Sequence, residues 1–472
     1  MAKQEKSLLE RALGLVAEVE AGEGINVVLM FINIFLILTA YYVLKVIREA
    51  LTIGGVVIFG VEGDEAKAYL SAIMAILLVG IVPLYGLLAS KVDRIKLVQI
   101  TMGFVIVCLG VFFVWGRATG VSTAIGLSFF VWLGIVNIFL VAQFWSYGND
   151  IYTESQGKRL FVIIAIGQSL GAWVGPNLAK LGADHLFSLF IVCGAILVLC
   201  LGLYMLVNRR EQGRDEESSS PRKVEEPLAR DGGFQLVFQT RYLLLIALMI
   251  LVTNLVNSTG EFILSNAAKN MAKEEASVSA VLGAEVARTI TSEGDLDAAA
   301  RQKLKDQRGP LIGKFYGSFY SVVNLVGLLV QMFLVSRIFK YLGVRVALFI
   351  LPVIAFGGYL AIGVIGGILV LRIAKTAENA TDYSLQNTVK QALFLPTSRE
   401  AKYKAKAAID TFFVRFGDAA SAGVVWLGVH QLAFGAREFA YINVALCAVW
   451  IALCAGIARE HRRQGTMAGS RP

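Results

Sequence analysis

Long apolar runs separated by short polar loops set the pattern of this chain. A spanning helix needs roughly 20 mainly apolar residues. On that ruler the runs fall at 25–51, 67–89, 97–116, 122–149, 159–181, 185–207, 241–264, 311–337, 345–362, 364–391, 408–429 and 437–458. The apolar runs are continuous and do not alternate with a period of two, which excludes a β-barrel. The pattern predicts an all-α polytopic membrane protein with about twelve transmembrane helices in two six-helix halves, 25–207 and 241–458.

Two stretches break the pattern. Residues 208–240 are charged, hold Ser and Pro and lack periodicity, which predicts a hydrophilic linker between the halves. Residues 265–309 are polar and rich in Ala, Glu and Lys, and are expected to form an insertion with short surface helices at 274–290 and 295–306. The first 24 residues carry Glu5, Glu10, Glu18, Glu20 and Glu23 where a signal peptide needs an apolar core. Their Leu8, Leu9, Ala12, Leu15, Val16 and Val19 form a helical stripe, so an amphipathic helix lying on the membrane is expected.

Composition supports the membrane reading. The chain has 472 residues, of which 56% are hydrophobic and 17% charged. Its net charge of +9 reflects orientation and not nucleic-acid binding, because the basic residues sit in alternate loops. These are Lys91, Arg94 and Lys96; Lys158 and Arg159; Arg337, Lys340 and Arg345; and Lys390, Arg399, Lys402, Lys404 and Lys406. The tail 459–472 is basic too, while the loop after the first span is acidic. The positive-inside rule then places both termini and the linker in the cytoplasm and the insertion outside. Five cysteines without metal-type spacing and three scattered histidines predict no metal site and no cofactor.

Charges inside the apolar runs are the candidate chemistry, since an ionisable residue in a membrane helix is costly without a function or a partner. In the first span, Lys45, Arg48 and Glu49 share a face, with Tyr41 and Tyr42 behind them. At a helix end, snorkelling to the interface is the competing explanation. In the tenth span, Arg372, Lys375, Asn379, Asp382 and Gln386 form one stripe, with Glu378 beside it. The fourth span holds Gln143, Trp145 and Tyr147, and the seventh holds Asn254, Asn257 and Glu261. Lys45, Arg48, Arg372 and Lys375 suit an anion such as phosphate or carboxylate. Tyr41, Tyr42, Trp145 and Tyr383 offer ring surfaces for stacking.

Enzyme signatures are weak. No H-E-x-x-H and no convincing Ser-His-Asp set is present, and GPLIGKF at 309–315 is one residue short of a P-loop and lacks Ser or Thr after Lys314. No enzyme activity is expected, and energy for transport would come from gradients or exchange.

Two halves joined by a linker resemble the major facilitator plan, in which the halves rock around a midplane site. Gly86, Ser90, Lys91 and Arg94 resemble that superfamily's loop after the second helix, and Gly343 with Arg345 its weaker repeat. Gly167, Gly171, Gly175 and Pro176 resemble its fifth-helix motif, whose physical sense is close helix approach on a glycine face. The segments YYVLKVIREAL, AQFWSYGNDIYTESQGKRLF and DYSLQNTVKQALFLPTSREAKYKAKAAIDTFFVRFGD resemble the nucleotide transporter family of ATP/ADP translocases. The resemblance covers almost the whole chain apart from the linker and the insertion. It departs from the family at Val46, which replaces an acid; at Leu133, near an expected acid; at Asn257, where the translocases carry Glu; and at Asp382, where they carry Lys.

The resemblance implies ATP/ADP exchange or nucleotide:proton symport by alternating access. The candidate substrate-binding residues, from the polar positions in the spans, are Lys45, Arg48, Glu49, Tyr41, Gln143, Trp145, Asn257, Arg372, Lys375 and Asn379. The coupling candidates are Glu261, Glu378 and Asp382. The partners expected are a small anionic substrate and the lipid bilayer, with no nucleic acid, and the chain is expected to be a monomer. The alternatives are a proton-coupled carrier of another organic anion or solute, and a non-transporting membrane scaffold or sensor.

Overall fold

The computed structural model describes residues 6–14, 18–58, 60–92, 94–152, 154–215, 233–394, 397 and 405–468. Most of the linker lies outside the described residues, as do the side chains of the Gly86, Ser90, Lys91 and Arg94 motif. Twelve long helices appear among the described residues, one for each predicted span. They are α1 (Gly24–Gly55), α2 (Gly63–Lys91), α3 (Arg94–Thr119), α4 (Thr123–Ile151), α5 (Glu154–Leu181) and α6 (Ser188–Asp215). The second set is α7 (Arg241–Glu275), α8 (298–341), α9 (Gly343–Val364), α10 (368–393), α11 (406–431) and α12 (Ala436–Ala468).

Nine helices among the described residues are long and apolar enough to cross a membrane; α2, α10 and α11 fall outside that set. α10 carries the polar stripe, and π turns interrupt it at Asp382–Gln386 and interrupt α11 at Ile409–Phe413 and Leu427–Gln431. A fourth π turn, Val330–Val335, lies in α8. On α3, Phe104, Val107, Val111 and Val114 recur at helical spacing and are all exposed, which is a lipid-facing stripe and not a soluble-protein surface.

The polar stretch 265–309 is largely not separate from the bundle. α7 continues to Glu275 and α8 begins at Ala298, so only two short helices, Val278–Leu282 and Ala284–Thr289, and one 3-10 turn lie between them. A bound for a helix end drawn where hydropathy falls is too early, because a polar residue continues a helix as well as an apolar one does. Near the N-terminus only Leu8–Leu13 is helical among the described residues. There Glu10 accepts the backbone N–H groups of Gly22 at 2.6 Å and Gly24 at 3.4 Å, at the start of α1.

The chain divides into two compact units, one of Met1–Val56, Leu77–Lys223 and Ala272–Ser321, the other of Val57–Ile76, Val224–Met271 and Val322–Pro472. These are not the two sequence halves. The start of α8 groups with unit one because Lys305 donates to the Gly55 carbonyl at 3.0 Å and Asp306 accepts the Val121 N–H at 3.0 Å. The start of α2 groups with unit two because Asp64 pairs with Lys269 at 2.7 Å.

Within unit one the glycine face of α5 does what its spacing predicts. A Cβ at Gly167, Gly171 or Gly175 would stand 2.7, 2.2 or 2.5 Å from the carbonyl oxygens of Phe31, Phe35 and Thr39 on α1. Backbone-to-backbone contact of this kind gives dispersion contact without side-chain entropy loss, and it holds α1 in place.

Candidate functional site: two buried charge clusters

In unit one, α1 is buried along most of its length, and Tyr41, Tyr42, Lys45 and Arg48 form a half-buried face on it. Glu49 is fully buried, and Arg48 donates to it from Nη2 at 2.5 Å. The Tyr320 hydroxyl, from α8, donates to the same carboxylate oxygen at 3.4 Å. The Lys45 ammonium lies 4.1 Å from the Tyr320 ring centroid and 5.3 Å from that of Tyr42. The Arg48 guanidinium lies 5.0 Å from the Phe130 ring of α4. Snorkelling does not describe Glu49. A buried carboxylate is tolerable only with a cation and hydrogen bonds, and both are supplied here. Two cations and one carboxylate meet here, and the aromatic faces hold the cations by their ring quadrupoles. Arg48 Nε is buried and has no hydrogen-bond partner among the described residues.

In unit two the cluster is centred on Lys375 of α10, which is fully buried. Its Nζ contacts Glu378 at 3.0 Å, Glu261 of α7 at 3.7 Å and the Asn257 side-chain oxygen at 3.3 Å. Glu378 also accepts from the Tyr359 hydroxyl of α9 at 2.8 Å. Glu261 accepts from Asn379 at 3.2 Å and faces Lys67 of α2 at 3.6 Å. Lys67 in turn donates to Ser265 at 3.3 Å. Two lysines and two glutamates make the group electrically neutral, which is the cheapest way to keep four charges in an apolar bundle.

The predicted residues divide accordingly. Lys45, Arg48, Glu49 and Tyr41 lie in unit one, and Asn257, Glu261, Lys375, Glu378 and Asn379 lie in unit two. Gln143 donates to Thr101 of α3 at 2.7 Å, and Trp145 packs edge-on against Phe144 and Phe161. Both sit 13–15 residues along α4 from Phe130, roughly 20 Å at the helical rise, so α4 does not carry them to Arg48. Shared helix and polar character do not make a shared site. Asp382 pairs with Lys390 at 3.4 Å, and Arg372 is half-buried one turn before Lys375.

Sequence reasoning missed Tyr320, Tyr359 and Lys67. Tyr320 follows Tyr316 by four residues on a face of α8 rich in aromatics, and Lys67 was indistinguishable from a helix-end charge. Gly260 gives the clearest reason for the Tyr359 contact. A Cβ there would stand 1.8 Å from Tyr359 Oη and 2.9 Å from Lys375 Nζ. The P-loop-like GPLIGKF lies inside α8, where Lys314 pairs with Asp184 at 2.7 Å, so it forms no phosphate loop.

Residues 357–461 match the model of the TLC ATP/ADP transporter family. In sequence, the chain is similar to the ATP/ADP carriers. That match contains Tyr359, Lys375, Glu378 and Asn379 of the unit-two cluster. The ADP,ATP carrier protein 1 of Chlamydia muridarum is 20% identical over 321 residues, covering 60% of this chain and 54% of the relative. Its counterpart in Chlamydia trachomatis serovar D is 20% identical over 325 residues, covering 60% and 54%. The chain spans about half the length of the curated relatives it matches.

Among solved structures, a POT peptide transporter in complex with sulfate aligns with a TM-score of 0.60 at 13% identity, over 96% of this chain and 99% of that one. A bacterial homologue of the iron transporter ferroportin, in an inward-facing state, aligns with a TM-score of 0.60 at 14% identity, over 92% and 98%. The fold is that of these major facilitator-like transporters.

Proposed function

We propose that this chain is a secondary active transporter of nucleotides, working by alternating access in a bacterial inner membrane with both termini cytoplasmic. The observation that carries the reading is the Lys45–Arg48–Glu49 cluster on α1, two half-buried cations on a fully buried carboxylate, in a chain whose residues 357–461 match the ATP/ADP transporters. Lys45 and Arg48 bind phosphate oxygens. Glu49 holds Arg48 while no anion is present, so the buried carboxylate and the guanidinium each keep a counter-charge. The rings of Tyr41, Tyr42 and Tyr320 lie beside these cations and offer a face to a base. Unit two has a polar group of its own, in which Asn257 and Asn379 are neutral hydrogen-bonding groups beside Lys375 and Glu261. Gln143 and Trp145 support packing of α4. The basic loops support the orientation.

The test is uptake of labelled ATP or ADP by proteoliposomes holding the purified full chain. Uptake or counterflow whose half-saturation Lys45→Gln and Arg48→Gln weaken supports the reading. A folded preparation that moves no nucleotide sinks it. Asn257 and Asp382, which depart from the translocase pattern, favour a second reading in which a related organic anion is the cargo, and a ligand thermal-shift screen separates the two.

A further inference from the structure

We propose that Arg415 of α11 binds a phosphoryl oxygen of the cargo, a role that rests on the transport reading above, and that Asp418 is the counter-charge it leaves in order to do so.

Arg415 and Asp418 belong to the segment VRFGD and stand about one turn apart on α11, in unit two. Arg415 donates from Nη1 to Oδ2 of Asp418 at 3.3 Å, and Oδ1 accepts from the Ser258 hydroxyl of α7 at 2.9 Å. The two helices are pressed together here. A Cβ on Gly417 would stand 2.8 Å from the Leu251 carbonyl oxygen and 2.9 Å from Asn254 Cβ. One turn further along, Thr259 and Ser421 share a hydrogen bond at 3.3 Å. Packing of α7 on α11 thus fixes Asp418, and Asp418 holds Arg415. The Asp418 side chain is 15% exposed and that of Arg415 35%, so the cation keeps access while the carboxylate is largely covered.

A guanidinium has five N–H donors. Among the described residues Arg415 uses one of them, in a single-point bond. Arg308 shows the contrasting case of an arginine committed to structure. Both of its Nη atoms meet Glu293 at 2.7 Å, and its Nε donates to the Ala276 carbonyl at 3.2 Å. The remaining donors of Arg415 form the planar fork that phosphate oxygens match. Snorkelling does not describe this arginine either. Residue 415 lies nearer the start of α11, at residue 406, than its end, at residue 431. A snorkelling side chain reaches for the nearer end. Arg415 instead pairs with a residue towards the far end, against the N-terminal lean of helical side chains.

Unit one holds the same arrangement. Arg48 donates to Glu49, and Glu49 also accepts from a hydroxyl of another helix, Tyr320 of α8. In each unit a carboxylate held by a hydroxyl parks an arginine whose donors are only partly used. An arriving anion takes over as the counter-charge of Arg415, and Ser258 keeps the vacated carboxylate hydrogen-bonded, so neither charge is stranded.

The test is isothermal titration of the purified full chain in detergent with inorganic pyrophosphate, alongside uptake of labelled ATP or ADP by proteoliposomes. Arg415→Gln should weaken pyrophosphate binding by about 10- to 100-fold, and Arg415→Lys, which keeps the charge without the fork, should recover part of that loss. Asp418→Asn removes the competing counter-charge and should tighten binding. An ion pair that only holds the fold gives lowered melting temperatures in all three variants with unchanged pyrophosphate affinity, and that result overturns the proposal. Where Arg415→Gln does not fold, Arg415→Lys and Asp418→Asn decide. Phe412 and Phe416 beside Arg415 are exposed, so a lipid headgroup is the other source of the same phosphate chemistry. Stabilisation by phosphatidylglycerol that Arg415→Lys removes, with pyrophosphate binding unchanged, overturns the cargo role. Arg415-dependent pyrophosphate binding in a chain that moves no nucleotide leaves the anion site standing and ends the nucleotide reading. Nucleotide uptake whose half-saturation is the same in Arg415→Lys does the reverse.

Discussion

The hydroxyl of Tyr359 occupies the space that a side chain at residue 260 would fill: a Cβ on Gly260 would stand 1.8 Å from Tyr359 Oη. That single close approach lets α9 deliver a hydrogen bond to the buried Glu378 at 2.8 Å. Gly260→Ala should force Tyr359 off Glu378 and lower stability by about 1–3 kcal/mol, the usual cost of overpacking. Thermal unfolding of the purified protein measures this. Tyr359→Phe in the same background, by removing the clashing hydroxyl, should recover part of the loss.

Lys375 faces two carboxylates, Glu378 at 3.0 Å and Glu261 at 3.7 Å, so removing it alone should be worse than removing the Lys375–Glu378 pair. Lys375→Ala leaves Glu378 buried without its cation, at an expected cost of about 3–5 kcal/mol. Lys375→Met combined with Glu378→Leu should be less destabilised than Lys375→Ala alone. Denaturation curves of the variants in one detergent decide it, and equal losses would argue that the ion pair is not the source of the cost.

The α1–α5 contact depends on three glycines. Gly171→Leu pushes a side chain at a position where even a Cβ would meet the Phe35 carbonyl oxygen at 2.2 Å. Neither backbone can move without repacking the bundle, so poor folding and a lowered melting temperature are expected. The same change at Gly194, where nothing lies within 4 Å of a Cβ, should be well tolerated and serves as the control.

Lys45 and Arg48 are expected to contribute through charge-assisted hydrogen bonds to phosphate, worth roughly 1.5–3 kcal/mol each. Lys45→Gln and Arg48→Gln should therefore weaken half-saturation for ATP or ADP by about 10- to 100-fold. Arg48→Lys should restore less than full affinity, because an ammonium cannot present the bidentate fork. Concentration dependence of uptake in proteoliposomes is the measurement.

Glu23, just before α1, supplies a pH dependence that does not involve the transport site. Burial pushes its carboxyl up, but the Glu20 N–H, Gln156 and Arg159 hold it below its ordinary value of 4.5. A carboxyl depressed in the folded state adds stability above the unfolded value, and this is lost as pH falls through the folded one. Melting temperature should therefore drop below about pH 4.5, and Glu23→Gln should flatten that part of the profile.

Hydropathy was enough to read the twelve helices, because the bilayer demands about 20 apolar residues per span whatever packs around them. The polar stripe of α10 was readable for a similar reason, since residues three and four apart share a helix face in any fold. The ends of α7 and α8 were not readable, because polar residues continue helices without a hydropathy signal. The glycine spacing on α5 announced a close approach but not its partner.

What only the tertiary structure decided is which charges meet. Gln143 and Trp145 share the polar character of the candidates, yet they pack against Thr101 and Phe161. Nothing in the sequence singles out Lys67, Tyr320 or Tyr359. Each became part of a charge cluster through the packing of helices far apart in sequence. Periodicity along one helix tells which side chains share a face, and the cost of burying an ion requires that a partner exist. Neither says which of the other helices supplies it, and in this chain that choice gave Lys45 to Tyr320 and Lys375 to Glu261, Glu378 and Asn257.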